Sequence, residues 1–322
     1  RYVLGAWIAL LVGLIVLGGA LGGKGIDNFT VPGAESQKAN DALAERFPDK
    51  AGMEERIVVR APKGAKLTDP EVRDEVQGML DRVARQPHVA KVDKLTVSPQ
   101  VPAIGFTSVS YRPSAEGHRV DAGDRLVAEA TPLRDQGYQV EFGGELKVDA
   151  EKIGGSSEMI GLLVAVVVLL IAFGSVVAMG LPLGTALIGL GTGLSVITVA
   201  EAFIDVPTVS PTLATMIGLG VGIDYALFIV TRHREHLHQG ESVEDSAARA
   251  LATAGQAVVF AGITVVIAIC GLQFAGIPVM ATMGYATAVV VLISVAAAIT
   301  LLPAFLGFAG TNIDKLKVPG VK

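Results

Sequence analysis

The placement of six long apolar runs is the strongest constraint on what this chain can fold into. A helix needs roughly 20 predominantly apolar residues to cross the hydrocarbon core of a bilayer, which is about 30 Å thick. Each run is close to that length or longer, so each is predicted to be a membrane span. The six spans are Tyr2–Leu21, Met159–Val177, Leu181–Phe203, Val209–Thr231, Ala257–Phe274 and Val279–Phe308. The sequence therefore predicts an α-helical polytopic membrane protein with one span, a long insert and then five more spans.

The composition agrees with a membrane protein and narrows its class. Hydrophobic residues make up 51% of the 322 residues and charged residues 18%, whereas soluble domains average about 25% charged residues. The formal net charge of −5 is too small to indicate binding to nucleic acid. The first run is longer than the apolar core of a secretory signal peptide, about 7–15 residues, so we expect residues 1–21 to remain as transmembrane helix 1. A single cysteine, Cys270, excludes an intrachain disulfide.

Basic residues follow the fourth and sixth spans, and this distribution predicts the orientation of the chain in the membrane. Short loops rich in Lys and Arg stay cytoplasmic, whereas long translocated domains are exempt from this rule. The basic residues concerned are Arg232, Arg234, Arg249, Lys315, Lys317 and Lys322. Both termini are therefore expected in the cytoplasm. Residues 22–157 would form an extracytoplasmic domain, residues 158–310 would hold spans 2–6, and residues 311–322 would be a cytoplasmic tail or linker.

The long insert has the pattern of a folded α+β domain. Strands are predicted at residues 54–61, 88–95, 103–112 and 138–142, and helices at 68–86 and 120–136. Thr68 and Glu71 have the spacing of a capping box at the start of the first of these helices. The order strand–helix–strand, repeated once, is that of a ferredoxin-like fold. The alternative interpretation is an irregular extracellular loop.

The cytoplasmic loop 232–256 is predicted to be an amphipathic segment on the inner membrane surface. Ser242 and Asp245 have capping-box spacing, and residues 243–254 have one apolar and one polar face. His233, His236 and His238 lie close together, and close histidines can bind a metal. Because no carboxylate or thiol lies at ligand spacing, we interpret them as surface histidines and expect no metal site.

Asp224, in the fourth span, is the strongest candidate for a functional residue. A charged side chain at the centre of a span costs about 3 kcal/mol on insertion scales, so such residues are usually retained for a function. Asp224 is the only acid or base well inside any predicted span. Buried among helices it could take up and release protons, and Tyr225 beside it could hydrogen-bond to the carboxylate. The alternative is a structural acid that neighbouring helices satisfy.

Small and polar residues near Asp224 extend this hypothesis. Three glycines would let the fourth span pack closely against other helices. They are Gly218, Gly220 and Gly222. Four hydroxyl-bearing residues of the fourth and sixth spans could form a polar path, although threonines in spans more often bond to their own backbone. They are Thr212, Thr215, Tyr285 and Thr287. An intramembrane aspartyl protease would need a second aspartate within a span, so we expect no enzyme and no cofactor.

Three stretches of the sequence resemble the MMPL branch of the resistance–nodulation–division (RND) transporters. They are "AFGSVVAMGLPLG", "GIDYALFIVTRHREHL" and "ESVEDSAARALATAGQAVVFAGITVVIA". The arrangement of one span, a large domain and five spans is also similar to that family. The resemblance implies export of lipids or other hydrophobic molecules driven by the proton motive force, across a bacterial plasma membrane. It also implies a porter role for the extracytoplasmic domain and a proton relay formed by Asp224 and Tyr225.

One departure from the family pattern concerns length. Members of this branch usually have twelve spans in two similar halves, with a second Asp-Tyr pair facing the first. This chain resembles one half, so we expect either a fragment of a longer transporter or a half that pairs with a second chain. The implied partners are membrane lipids, a hydrophobic or glycolipid substrate, protons and the second transporter half. The alternative is a non-transporting RND-like membrane module, either a lipid- or sterol-sensing domain or an accessory subunit of protein export.

Overall fold

The computed structural model describes residues 1–23, 25, 34–46, 52–112, 119–144, 146 and 156–316. The helices are α1 (Tyr2–Leu21), α2 (Glu35–Arg46), α3 (Pro70–Ala84), α4 (Arg119–Asp135), α5 (Ser156–Phe173), α6 (Val176–Ala200), α7 (Ser210–His238), α8 (Val243–Ala250), α9 (Gln256–Cys270) and α10 (Pro278–Ala309). The strands are β1 (Glu54–Arg60), β2 (Val89–Val92), β3 (Thr96–Val97), β4 (Ile104–Tyr111) and β5 (Gln139–Gly144). The chain divides into two compact units, which we call the membrane unit (Arg1–Gly25 with Gly154–Lys322) and the sheet unit (Ile26–Ile153).

The sheet unit is built on an antiparallel sheet with the strand order β2-β4-β1-β5, and β3 pairs with the side of β4. Alternating side chains of β1, such as Ile57 and Val59, are fully buried, as the period-two pattern predicts. They share one core with apolar residues of α3 and α4, including Val76, Met79 and Leu126. The elements thus follow the predicted order of strand, helix and strand, repeated once.

The predicted capping box of α3 is wrong. The helix begins at Pro70, two residues after Thr68, with Asp69 at the N-cap position. The Asp69 carboxylate accepts a hydrogen bond from the backbone N–H of Lys66 at 2.8 Å instead of capping the helix. Proline is favoured at the first helical position because its missing N–H would have no partner there. This preference places the helix start later than the Thr68–Glu71 spacing suggested.

Five helical segments in the described residues are long and apolar enough to cross a membrane, so the count of six spans stays a prediction. They are Tyr2–Leu21, Val176–Ala200, Ser210–His238, Val243–Ala275 and Pro278–Asp314. The predicted second span corresponds to the apolar part of α5, Met159–Phe173, which is shorter than these five segments. That helix ends four residues before Val177 because Gly174 adopts a φ of 63°, a conformation that favours glycine. α6 then begins earlier than predicted, with Ser175 accepting a hydrogen bond from the backbone N–H of Ala178.

The corner between α5 and α6 is tied to the last described part of the chain. The hydroxyl oxygen of Ser175 lies 2.8 Å from the carbonyl oxygens of both Ile313 and Lys315. The backbone N–H of Val176 donates to the carbonyl of Leu316 at 3.3 Å. Residues separated by about 140 positions in sequence are therefore held together at one end of the helices. Residues 317–322, including Lys317 and Lys322, lie outside the described residues.

Helix α10 is the centre of the membrane unit, and small residues let its neighbours approach closely. A Cβ atom added to Gly189 of α6 would lie 3.2 Å from Ala297 Cβ on α10, and one on Gly193 would lie 3.0 Å from Val290 Cγ2. α1 also contacts α10, because the indole N–H of Trp7 donates to the Thr300 hydroxyl at 3.0 Å. Such close approach is typical of glycine-containing helix interfaces in membranes.

The predicted amphipathic helix continues into the next span without a break. Ser242 accepts a hydrogen bond from the backbone N–H of Asp245 at 3.1 Å, which confirms the capping interaction at the start of α8. A π-helical segment, Leu251–Gly255, then joins α8 directly to α9. The helix predicted over residues 243–254 and the span predicted from Ala257 are therefore parts of one rod, Val243–Ala275.

Candidate functional site

Asp224 lies near the middle of α7, on a face that the other described helices do not cover. Its neighbours at four-residue spacing, Met216, Gly220 and Phe228, are exposed as well. Residues spaced by four lie on one side of a helix, so these four residues form a continuous strip, which we call the open stripe. Met216 is 65% exposed and Phe228 44% exposed. The open stripe is therefore an apolar surface with a carboxylate at its centre.

This placement corrects the expectation that neighbouring helices of the chain bury Asp224. The opposite face of α7 supplies the packing contacts instead. A Cβ atom on Gly218 would lie 2.5 Å from Val290 Cγ1 of α10, and one on Gly222 would lie 3.1 Å from Ala186 Cβ of α6. With that face packed against two helices, the face that carries Asp224 points away from the described part of the unit.

The sequence suggested one shared packing role for the three glycines of α7, but the structure gives them different surroundings. Gly218 and Gly222 are buried at helix contacts, as described above. A Cβ atom on Gly220 would meet nothing within 4 Å, and this residue lies on the open stripe, one turn before Asp224. Gly220 is therefore not a packing residue among the described helices.

Tyr225 is half-buried and faces α9 rather than the open stripe. A Cβ atom on Gly262 of α9 would lie 3.5 Å from Tyr225 Cε2. Successive residues of an α-helix point about 100° apart, so Asp224 and Tyr225 diverge although they are adjacent in sequence. Within the described residues, no hydrogen bond joins the Tyr225 hydroxyl to the Asp224 carboxylate. Tyr225 thus borders the stripe from the α9 side.

The four residues of the expected polar path are not brought to Asp224. Thr215 and Thr287 donate their hydroxyls to backbone carbonyls four residues earlier, at 2.7 and 2.8 Å. Gly218 lies opposite Val290, so Thr287 lies roughly 13 Å from Asp224 along the helix axis, at about 1.5 Å per residue. Tyr285 is farther still and donates its hydroxyl to Gln273 Oε1. Thr212 is in the first turn of α7.

A buried serine that sequence reasoning missed lies nearer to the level of Asp224. The Ser294 side chain on α10 is 2% exposed, and its hydroxyl has no hydrogen-bond partner among the described residues. It would lie 3.8 Å from a Cβ atom on Gly222. A serine in a span usually donates its hydroxyl to a backbone carbonyl of its own helix. Ser294 differs, because its hydroxyl has no such partner among the described residues. The sequence signal was a lone serine in an apolar run.

The three histidines at the end of α7 have separate partners and do not form a cluster. His233 is fully buried, which contradicts its interpretation as a surface residue. The Ser246 hydroxyl donates to the His233 carbonyl at 2.6 Å and lies 2.9 Å from His233 Nδ1. His236 Nδ1 lies 3.3 Å from Glu241 Oε1, and His238 Nε2 lies 2.8 Å from Asp314 Oδ2. The described residues contain no group of three metal-binding side chains.

An ion pair joins the end of α7 to the segment that follows α10. Arg234 Nη2 lies 2.7 Å from Asp314 Oδ1 and the guanidinium lies 5.3 Å from the centre of the Phe173 ring. Asp314 thus bridges Arg234 and His238, both on the helix that carries Asp224. The ion pair is partly buried, with the Arg234 side chain 19% and the Asp314 side chain 27% exposed.

Several known proteins are similar to this chain. The chain matches the MMPL family over residues 28–318. It is 38% identical to the membrane protein YdfJ of Bacillus subtilis over 314 residues, which cover 96% of this chain and 43% of YdfJ. It is 29% identical to the trehalose monomycolate exporter MmpL3 of Mycobacterium tuberculosis, covering 98% of this chain and 35% of that protein.

Two further proteins are similar to this chain. The mycolic acid-containing lipids exporter MmpL11 of Mycolicibacterium smegmatis is 28% identical over 97% of this chain and 34% of its own length. A crystal structure of SecDF in a super-membrane-facing form covers 95% of this chain and 37% of that protein, with 14% identity and a TM-score of 0.49. The chain spans less than half the length of the curated relatives described here. With the family match extending over most of its residues, the chain is a multi-pass membrane protein that belongs to the MMPL family of the RND superfamily.

Proposed function

We propose that this chain is one half of a proton-driven exporter of lipids or other hydrophobic molecules, in which Asp224 takes up and releases the proton. The observation that carries the proposal is the open stripe of α7, which presents a carboxylate on an apolar surface. Two relatives, MmpL3 and MmpL11, are named for the export of mycolic acid lipids. This supports lipid transport by the family and a lipid substrate for this chain.

A second transporter half covers the open stripe, either in the same polypeptide or as a second chain. A carboxylate facing hydrocarbon costs about 3 kcal/mol on insertion scales. A covering helix with polar groups at the level of Asp224 would remove that cost. The relatives are more than twice the length of the part that matches this chain, which is consistent with a second set of helices. Tyr225, at the border of the stripe, would then reach the carboxylate through a small side-chain movement.

Protonation would drive the transport cycle by removing the charge of Asp224. The loss of charge weakens attraction to the second half, and α7 shifts against α6 and α10 along the contacts at Gly218 and Gly222. Moving one charge through the membrane field is worth about 2.3 kcal/mol per 100 mV. An energy of this size changes the ratio of two conformations by about fiftyfold. We propose that both termini lie in the cytoplasm. The basic residues Arg232, Arg234 and Arg249 follow the fourth predicted span, and short loops rich in Lys and Arg stay cytoplasmic.

The sheet unit acts as the extracytoplasmic porter domain and has a ferredoxin-like fold. The strand order β2-β4-β1-β5, with all neighbours antiparallel, supports this assignment. Two helices, α3 and α4, supply the crossovers and share the core of the sheet. In this proposal the domain receives the hydrophobic molecule from the outer leaflet and passes it outward.

The test compares Asp224→Asn with a matched control, Glu235→Gln, in the intact gene product. Both changes neutralise an exposed acid on α7, but Glu235 is beyond the predicted span and forms an ion pair with Arg232 at 2.8 Å. Folded yield is measured in cells, and export of a labelled lipid is measured in proteoliposomes under an imposed pH gradient. We expect normal yield for both variants and lost export for Asp224→Asn alone. Export that survives in Asp224→Asn contradicts the relay, whereas absence of export in the unaltered protein favours a non-transporting membrane module.

A further inference from the structure

The end of α7 extends beyond the membrane core and carries a histidine that water reaches. α7 has 29 residues, so at about 1.5 Å per residue it is about 43 Å long, whereas the hydrocarbon core is about 30 Å thick. The predicted span ends at Thr231, and His238 is the last residue of the helix. The His238 side chain is 62% exposed. Its imidazole is therefore accessible to protons from the solution on that side of the membrane.

Asp314, in the segment after α10, receives two side chains of α7, one on each carboxylate oxygen. Arg234 donates to Oδ1, with Nε at 3.0 Å and Nη2 at 2.7 Å. His238 Nε2 lies 2.8 Å from Oδ2. The arginine stays charged at every physiological pH, whereas a histidine usually changes charge between about pH 5 and 8. The connection between α7 and Asp314 thus has one constant part and one part that depends on pH.

The segment that carries Asp314 is also fixed on its other side. The Ser175 hydroxyl lies 2.8 Å from the carbonyl oxygens of Ile313 and Lys315, on either side of Asp314. The Arg234 guanidinium lies 5.3 Å from the centre of the Phe173 ring at the end of α5. A movement of α7 therefore pulls against the corner between α5 and α6, so Asp314 can hold the helix in place.

The other charged groups around the end of α7 leave Asp314 as the partner of His238. α6 and α10, which pack against α7, contain no charged residue. In the turn before α8, Glu241 Oε1 lies 3.3 Å from both His236 Nδ1 and Arg249 Nη1. The remaining charged residues of this region are Arg232, Glu235, Glu244, Asp245 and Lys315. Within the described residues, the ion pair of His238 is with Asp314.

We propose that His238 and Asp314 form a pH-dependent latch, which holds the end of α7 to the segment after α10 while His238 is charged. A charged imidazole is attracted to the carboxylate and a neutral one is not, so acid closes the latch and a rise in pH releases it. α7 runs unbroken from Asp224 to His238, over about 21 Å at about 1.5 Å per residue. A hold on His238 therefore also restrains the helix at Asp224.

The latch has a consequence for transport, and this step rests on the proposed function. If protons enter through Asp224 as α7 moves, acid on the cytoplasmic side closes the latch and slows further proton entry. His238 and Asp314 act on Asp224 only through the position of α7, so they are positioning residues. The prediction is that export by the unaltered protein falls when the inner pH is low.

The first measurement is hydrogen exchange of residues 310–316 in the intact gene product in nanodiscs. Rates at about pH 5.5 and about pH 7.5, within the range where histidine changes charge, are corrected for the intrinsic exchange rate. We expect exchange to be roughly two- to fivefold slower at the lower pH, about the effect of one partly exposed ion pair. Equal corrected rates at the two pH values would overturn the latch.

Two variants of His238 separate its charge from its shape, and a third variant is the matched control. His238→Lys is charged at both pH values and should show slow exchange throughout, whereas His238→Gln is uncharged and should show fast exchange throughout. His236→Gln removes a histidine that faces Glu241 instead, so it should keep the pH dependence. A pH dependence that persists in both His238 variants, or that is lost in His236→Gln, would assign the effect to another group.

The second measurement is export of a labelled lipid from proteoliposomes at the same two inner pH values, with an equal pH difference across the membrane. The ratio of export at high to low inner pH should be roughly two- to fivefold larger in the unaltered protein than in either His238 variant. Equal ratios in the three proteins would overturn the restraint on α7. Absence of export by the unaltered protein at both pH values contradicts the proposed function instead, and hydrogen exchange then decides the latch.

Discussion

Replacing each of two nearby glycines of α7 by alanine should have opposite effects on stability. In Gly218→Ala the new methyl group would lie 2.5 Å from Val290 Cγ1, below the 3.4 Å at which ordinary contact begins. Val290 is fully buried and β-branched, so its side chain has little freedom to move away. Forcing an extra methyl group into a packed core costs about 1–3 kcal/mol. In Gly220→Ala the methyl group meets nothing within 4 Å, and alanine is favoured over glycine in a helix by about 0.5–1 kcal/mol.

The two variants therefore should differ by about 1.5–4 kcal/mol in the free energy of unfolding, the sum of the packing and helix-propensity terms. Far-UV circular dichroism during titration with denaturing detergent measures this quantity. The double variant Gly218→Ala/Val290→Ala serves as a control, because shortening Val290 removes the methyl groups that clash and should recover part of the lost stability. Equal stability of the two single variants, within about 0.5 kcal/mol, would refute the described packing of α7 against α10.

Three further results are expected. Asp314→Asn should lower the free energy of unfolding by about 1–3 kcal/mol, because it weakens the ion pair with Arg234. Chemical unfolding measures this loss. Ser246→Ala leaves the His233 carbonyl without its hydroxyl donor and should speed hydrogen exchange in α8, which mass spectrometry detects. Burial raises the pKa of the Tyr111 hydroxyl from 10.0 to about 12. The folded state then holds this proton more tightly than the unfolded state, so stability is full below pH 10 and falls as the pH rises through 12. Tyr111→Phe should make the alkaline decrease shallower, as measured by unfolding at successive pH values.

The sequence was most informative about the long apolar segments and the order of elements in the sheet unit. Their patterns extend over many residues, so a single unusual residue does not change them. Boundaries depended on single residues and were less well predicted. Gly174, with its positive φ, ends α5 before Val177, and Pro70 sets the start of α3 in place of Thr68.

The site could be predicted only in part, because side-chain direction depends on which helices pack together. Asp224 stood out as an acid within an apolar run. The sequence did not reveal that Gly220 lies beside it on the open stripe while Gly218 and Gly222 face α6 and α10. His233 was misread because the loop around it is polar, although α8 folds back and its Ser246 covers the ring. Contacts of this kind join residues through tertiary packing, which a local pattern does not record.

The tie between Ser175 and residues 313–315 has a consequence for how the protein is made. The ribosome completes Ser175 about 140 residues before Lys315. At about 5–20 residues per second, that interval lasts roughly 7–28 s. During this time the corner between α5 and α6 lacks two of its hydrogen-bond acceptors. The α5–α6 corner can therefore reach its final form only after α10 has entered the membrane. Insertion of α10 is thus the step on which completion of this earlier corner depends.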